Sequence, residues 1–191
     1  LLRQSAIGDQ QSAISIRAHW GEYLPAWHPW EDYRQGYAAR PDLGGGVILT
    51  LCHPFDYLRW LFGECEVAWA LKSNRGLGMD VEDSAEIGLK FASGLIGSVH
   101  LDYVQRPAQH TLEIVTRAGA IRWDNADGSV QVYAGEQWQT YPAPAAFERN
   151  TMFLDQMRHF LAVCRGEAEP LCTLQDGVRA LELALKAREC S

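Results

Sequence analysis

The sequence predicts an α+β fold: an open sheet of six or more strands, largely antiparallel or mixed, with helices packed on one face. Three observations carry this expectation. Short alternating runs follow one another between residues 66 and 141, joined mostly by tight turns, which is how antiparallel sheet is strung. A glycine-led apolar segment at residues 44–63, GGGVILTLCHPFDYLRWLFG, places Phe55, Leu58, Leu61 and Phe62 at helical spacing. Two more helical stripes occupy residues 150–187.

The 191 residues suffice for one domain spanning 1–191. An apolar fraction of 47% fits a globular chain with a substantial core. A net charge of −7 without any Lys/Arg cluster argues against a nucleic-acid surface. No apolar run approaches ~20 residues, so no membrane span is expected. The five cysteines are odd in number and show no CxxC spacing, which predicts reduced thiols in a cytoplasmic protein. Zinc wants grouped Cys and His ligands, and Cys52–His53 is the one adjacent pair, so no metal site is expected. Cys52, inside an apolar run, reads as inert.

In chain order, residues 1–7 resemble the last turn of a helix stopped by Gly8. The apolar stretch there is too short for a signal peptide, and the missing initiator methionine points to a fragment of a longer protein. Residues 12–20 alternate, with Ile14, Ile16, Ala18 and Trp20 on one face and Ser15, Arg17 and His19 on the other. Residues 23–40 hold no period but carry two prolines, several aromatics and His28, and read as a long ordered loop. Its aromatics suit either stacking on sugar or cofactor rings, or pinning the loop to the domain. Pro54 favours a helix start with His53 at the N-cap, where the helix dipole keeps an imidazole neutral and fit for acid–base work. The alternative is a longer helix from Val47 kinked at Pro54. Gly63 is the stop.

Strands are expected at residues 66–73, 84–91, 95–104, 110–116, 120–123, 130–134 and 138–141, with a hairpin at Ser93–Gly94 and a break at residues 105–107. Gly97, Val99, Leu101 and Tyr103 share one face, and Ser98, His100 and Asp102 the other. The polar face, with Gly88, Lys90, Ser98, His100 and Glu113, is either solvated or a partner surface. Asn150 caps a helix with Phe153, Met157, Phe160, Leu161 and Cys164 on one stripe, stopped by Gly166. Thr173 to Asp176 forms a loose capping box for the last helix.

Four motifs together resemble one family. GGGVILTLCHPFDYLRWLFGE is similar to the signature of the Gfo/Idh/MocA oxidoreductases, VEDSAEIGLKFASGLIGSVHLDY to the strand pair that follows it, and FLDQMRHFLAVCRGEAEPLCTLQDGVRALELALKA to their C-terminal helices. WHPWEDYR resembles a loop of a subgroup associated with nucleotide-sugar and amino-sugar metabolism. The resemblance implies the glyceraldehyde-3-phosphate dehydrogenase-like C-terminal domain that binds substrate and oligomerises. It covers only the second half of such a protein. No G-x-G-x-x-G turn follows a strand: Gly44–Gly45–Gly46 has the wrong spacing, and Gly76 and Gly78 have no third partner. The family's Glu-Lys-Pro motif is absent, and Lys72, Lys90 and Lys186 stand in other contexts.

The resemblance therefore implies an NAD(P)-dependent oxidoreductase of a sugar, sugar nucleotide or cyclitol, with NAD or NADP held by a Rossmann domain in cis. This chain alone would bind no cofactor and show no dehydrogenase activity. By position His53 is the catalytic residue, passing the proton of the substrate hydroxyl. Thr50 stands near the place of a family aspartate; its hydroxyl can bond a sugar but cannot act as a base. Asp56 matches a later aspartate of structural kind. Trp27, His28, Trp30, Tyr33 and Arg34 would wall the sugar site, and the open sheet face would form a homo-oligomer. The alternative is a non-catalytic sugar-binding or dimerisation module of the same descent.

Overall fold

Alternation of apolar and polar residues dominates the chain, and the computed structural model, which describes residues 13–145 and 147–190, turns it into one eight-stranded sheet. The strands are β1 (Ala13–Tyr23), β2 (Cys65–Ser73), β3 (Ser84–Phe91), β4 (Ile96–Asp102), β5 (Val104–Thr116), β6 (Gly119–Asp124), β7 (Val130–Ala134) and β8 (Gln137–Tyr141). Their order is β2-β3-β4-β1-β5-β6-β7-β8. Every pairing is antiparallel except β1 with β4, which is parallel, so the sheet is mixed. The helical turn expected at residues 1–7 lies outside the described residues.

The inward positions Ile16, Ala18, Ile87, Leu89, Val99, Leu101, Leu112 and Ile114 are buried. They pack under the helices α1 (Val47–Thr50) and α2 (His53–Phe62), which bury Val47, Ile48, Phe55, Leu58 and Leu61. The helix α3 (Arg149–Cys164) follows the sheet, and α4 (Leu174–Glu189) packs on α1, α2 and β2. The capping box of α4 is present: Thr173 Oγ1 accepts from Asp176 N at 3.2 Å, and Thr173 N donates to Asp176 Oδ2 at 2.9 Å. Among the described residues, no helix is long and apolar enough to cross a membrane.

Four local expectations need correction. His53 is the first helical residue, not the N-cap; Cys52 holds that position. Neither of the two alternatives for this segment is met in full, because α1 and α2 are separate helices divided at Leu51 and Cys52. Residues 105–107 do not end a strand, since β5 starts at Val104 and runs through them. The β1–β5 register shifts between Gly21 and Tyr23, and Pro107 sits opposite that irregularity, where a missing N–H costs no ladder bond. Asn150 does not cap α3; Glu148 precedes it without a side-chain cap bond. The α3 stripe is not internal packing either: Phe153, Met157, Phe160 and Leu161 are exposed.

Candidate active site

The glycine segment sets the site's frame. Gly46, at φ 110° and ψ 150°, holds a conformation that favours glycine, and a Cβ there would overlap the Glu82 carboxylate. Its N–H donates to Ala38 O at 2.9 Å, and its carbonyl accepts from the Tyr103 hydroxyl at 3.1 Å. The aromatic loop, the start of α1 and the β4–β5 junction are thereby joined at one point. Gly45 N donates to Arg40 O at 2.8 Å, closing the loop onto the same segment.

From this frame α2 projects His53 into solvent at its first turn. The ring stacks on Trp20, with centroids 5.3 Å apart and planes at 22°. Behind it Trp20 stacks on His110, 4.3 Å apart and parallel to within 1°. His110 meets Trp123 edge-on at 5.1 Å and Tyr57 at 5.9 Å. A ladder of aromatic rings thus runs from exposed His53 into the sheet, built by β1, β5, β6 and α2. Burial, with His53 and His19 adding to it, lowers the His110 pKa to about 4, so that ring is neutral near pH 7. Among the described residues its Nε2 is buried without a hydrogen-bond partner, as is the Tyr57 hydroxyl, whose pKa burial raises. Burial also raises the Cys52 thiol, which leaves it a poor nucleophile.

The remaining expected site residues divide. The Thr50 hydroxyl oxygen is buried and faces the Tyr103 hydroxyl. Trp27 is partly buried and sets its ring edge-on to Tyr103 at 5.9 Å, which pins the loop. Tyr33 packs in part on the core, with the Arg34 guanidinium 4.6 Å above its ring. His28 and Trp30 are exposed and meet edge-on at 5.5 Å, and Trp30 Nε1 donates to Glu31 at 3.2 Å. Among the described residues no hydrogen bond or ring contact joins this loop group to His53. Trp20, His110, Tyr57 and Trp123 occupy ordinary strand and helix positions in the sequence, and no motif marks them as a group.

The same frame tests for a dinucleotide. A phosphate cradle needs bare backbone N–H groups around glycines. Here the Gly45 and Gly46 surfaces are filled by the carbonyls of Tyr37 and Arg40 and by the Glu82 carboxylate. These oxygens repel phosphate, so the segment does not fit one.

Comparison with known proteins bears on the family and the fold. The family model described as the GFO/IDH/MocA C-terminal domain matches residues 1–122. No curated protein matches the chain in sequence. Three similar solved structures are dehydrogenases. UDP-N-acetylglucosamine 3-dehydrogenase GnnA from Acidithiobacillus ferrooxidans is 16% identical with a TM-score of 0.72, over 98% of this chain and 55% of that one. A levoglucosan dehydrogenase in complex with NADH is 20% identical with a TM-score of 0.76, over 96% and 58%. The WlbA dehydrogenase from Bordetella pertussis, in complex with NADH and UDP-GlcNAcA, is 18% identical with a TM-score of 0.70, over 96% and 55%. At these identities the likeness is one of fold, and the chain spans about half the length of each.

Proposed function

The chain belongs to the GFO/IDH/MocA family as its C-terminal domain, and on that premise we propose that it is the substrate-binding and oligomerisation half of a cytoplasmic NAD(P)-dependent oxidoreductase of a sugar, sugar nucleotide or cyclitol. One observation carries the reading: His53, exposed at the start of α2, is held by ring stacking on Trp20. An imidazole so fixed can take or return the proton of a substrate hydroxyl. The ring stack behind it, Trp20 and then His110, fixes where that imidazole stands. His28, Trp30 and Arg34 supply the outer wall. The names of the similar structures, which mention UDP-sugars and levoglucosan, support the substrate class.

NAD or NADP belongs to the other half of the protein in this reading, since the glycine segment here is lined with oxygens. The exposed apolar side of α3, with Phe153, Met157 and Phe160, supports contact with a Rossmann domain in cis. On the outer sheet face Trp69, Leu71, Ile96 and Val115 are exposed, which supports pairing with a second copy there.

The test is the full-length protein carrying His53→Asn, assayed with NAD(P) and a panel of sugars and sugar nucleotides. A fall in kcat/KM of about 10²–10⁴ is expected, with folding unchanged. Activity within about threefold of wild type overturns the acid–base role. Thr50, whose hydroxyl cannot act as a base, favours a second reading, a module that binds sugar without turning it over. Sugar binding by calorimetry with no turnover by the full-length protein would select it.

A further inference from the structure

We propose that His19, His100 and Asp102 form a binding site for a divalent transition-metal ion of the zinc class on the outer face of the sheet. The site rests on strand register and on a shell of supporting bonds. It is independent of the His53 reading.

The register comes first. His19 on β1 lies directly opposite His100 on β4 in the parallel pair, and Glu86 on β3 lies opposite His100 on the other side. Asp102 is two residues beyond His100, so it shares the outward face. No short sequence motif unites these residues; three neighbouring strands do. One ligand atom from each of His19, His100 and Asp102 lies within 4.8 Å of the others. An ion about 2.1 Å from three N/O atoms separates them by about 3.4 Å, so small rotamer shifts close the cluster.

The supporting contacts are those that metal ligands require. His100 Nδ1 lies 2.6 Å from Glu86 Oε1 and its Nε2 lies 2.9 Å from Asp102 Oδ2, so the ring spans two carboxylates. A metal ion on Nε2, with Nδ1–H turned to Glu86, would satisfy both carboxylates. The Glu86–His100 pair is the carboxylate–histidine arrangement that orients a metal-bound imidazole. Asp102 is only 4% exposed, and its other oxygen accepts from Val104 N at 2.8 Å, so the carboxylate is fixed. The two imidazole rings stack at 4.5 Å. Gln105 Nε2 donates to Gln109 at 2.9 Å, which turns Gln105 Oε1 toward His19 Nε2 at 2.5 Å. Gly21 makes this closeness possible, because a Cβ there would overlap both Asp102 and Gln105. Two imidazoles and one carboxylate are a donor set suited to zinc.

The full-length protein, stripped with chelator, is titrated with Zn²⁺ by calorimetry and with Co²⁺ by visible absorption. The expected result is one equivalent per chain, with a Kd of about 1 μM or tighter and the d–d bands of low-symmetry cobalt. His19→Gln and His100→Gln should each weaken binding more than about tenfold, and Glu86→Gln by about tenfold. His53→Asn should leave binding unchanged, which separates this result from the dehydrogenase assay. His19→Gln replaces a partly exposed side chain, and thermal unfolding checks that the variant is folded. Absence of binding, or equal affinity in wild type and both histidine variants, overturns the proposal.

Discussion

Replacing Gly46 by alanine should cost far more than a surface glycine change, and the structure divides that cost into parts. The residue sits at φ 110°, where an L side chain is strained by about 1–3 kcal/mol. The new methyl would also displace the Glu82 carboxylate, which accepts from Ile48 N at 3.4 Å at the start of α1. Freeing that N–H in a buried setting adds about 1 kcal/mol. The total is about 3 kcal/mol, or a fall in Tm of about 6–12 °C for a domain of this size. Gly63 is the internal reference: it has φ 88° but nothing within 4 Å of a new Cβ, so Gly63→Ala carries strain alone, about 1–2 kcal/mol. Urea unfolding followed by tryptophan fluorescence compares the two. Glu82→Ala alone should cost about 1 kcal/mol, and in the Gly46→Ala background, where the bond to Ile48 N is already lost, it should cost almost nothing further, a coupling of about 1 kcal/mol. If Gly46→Ala costs no more than Gly63→Ala, or if the double variant shows no coupling, the close approach of Gly46 to Glu82 is refuted.

Two further outcomes are expected. His110 is held near pKa 4, below the ordinary 6.5, by burial and by the neighbouring His53 and His19, against a smaller opposing pull from Asp124. The unfolded chain therefore binds more protons between these values, and the stability present above pH 6.5 is lost as pH falls through 4. The full linkage is about 3 kcal/mol, reduced by the ring's partial solvent contact to about 1–2 kcal/mol; denaturation at stepped pH should show His110→Phe flattening that slope, and an unchanged slope would count against it. Trp30 is 77% exposed, so Trp30→Ala should shift stability by less than about 0.5 kcal/mol. It should also raise KM for the sugar substrate several-fold if the loop walls the site, and an unchanged KM would remove Trp30 from it.

The strands were legible because their pattern is local. Residues 84–91 and 130–134 coincide with β3 and β7, since alternation alone sets those bounds. The start of β5 was hidden by Pro107, which reads as a break until the register shift opposite it is known. The α3 stripe was recognised, but periodicity says only that a helix has an apolar side, not whether this chain covers it. The same limit governs the site. His53 was visible through its proline and glycine context. The stacking of Trp20 on His110, and of His19 on His100, joins residues far apart in sequence, and only strand pairing brings them together.

The place of β1 in the sheet bears on how the chain folds. β4 and β5 are consecutive in sequence, yet β1 lies between them and bonds to both. A nascent chain makes β1 first, and its two edges stay unpaired until residues 96–116 have been synthesised. Meanwhile β4 and β5, joined at Tyr103, are free to close on each other as a simple hairpin and occupy the slot β1 needs. Such late, non-local insertion slows folding and leaves strand edges open to aggregation. Recombinant yield should therefore respond more to lower temperature or chaperones than to changes on the finished surface.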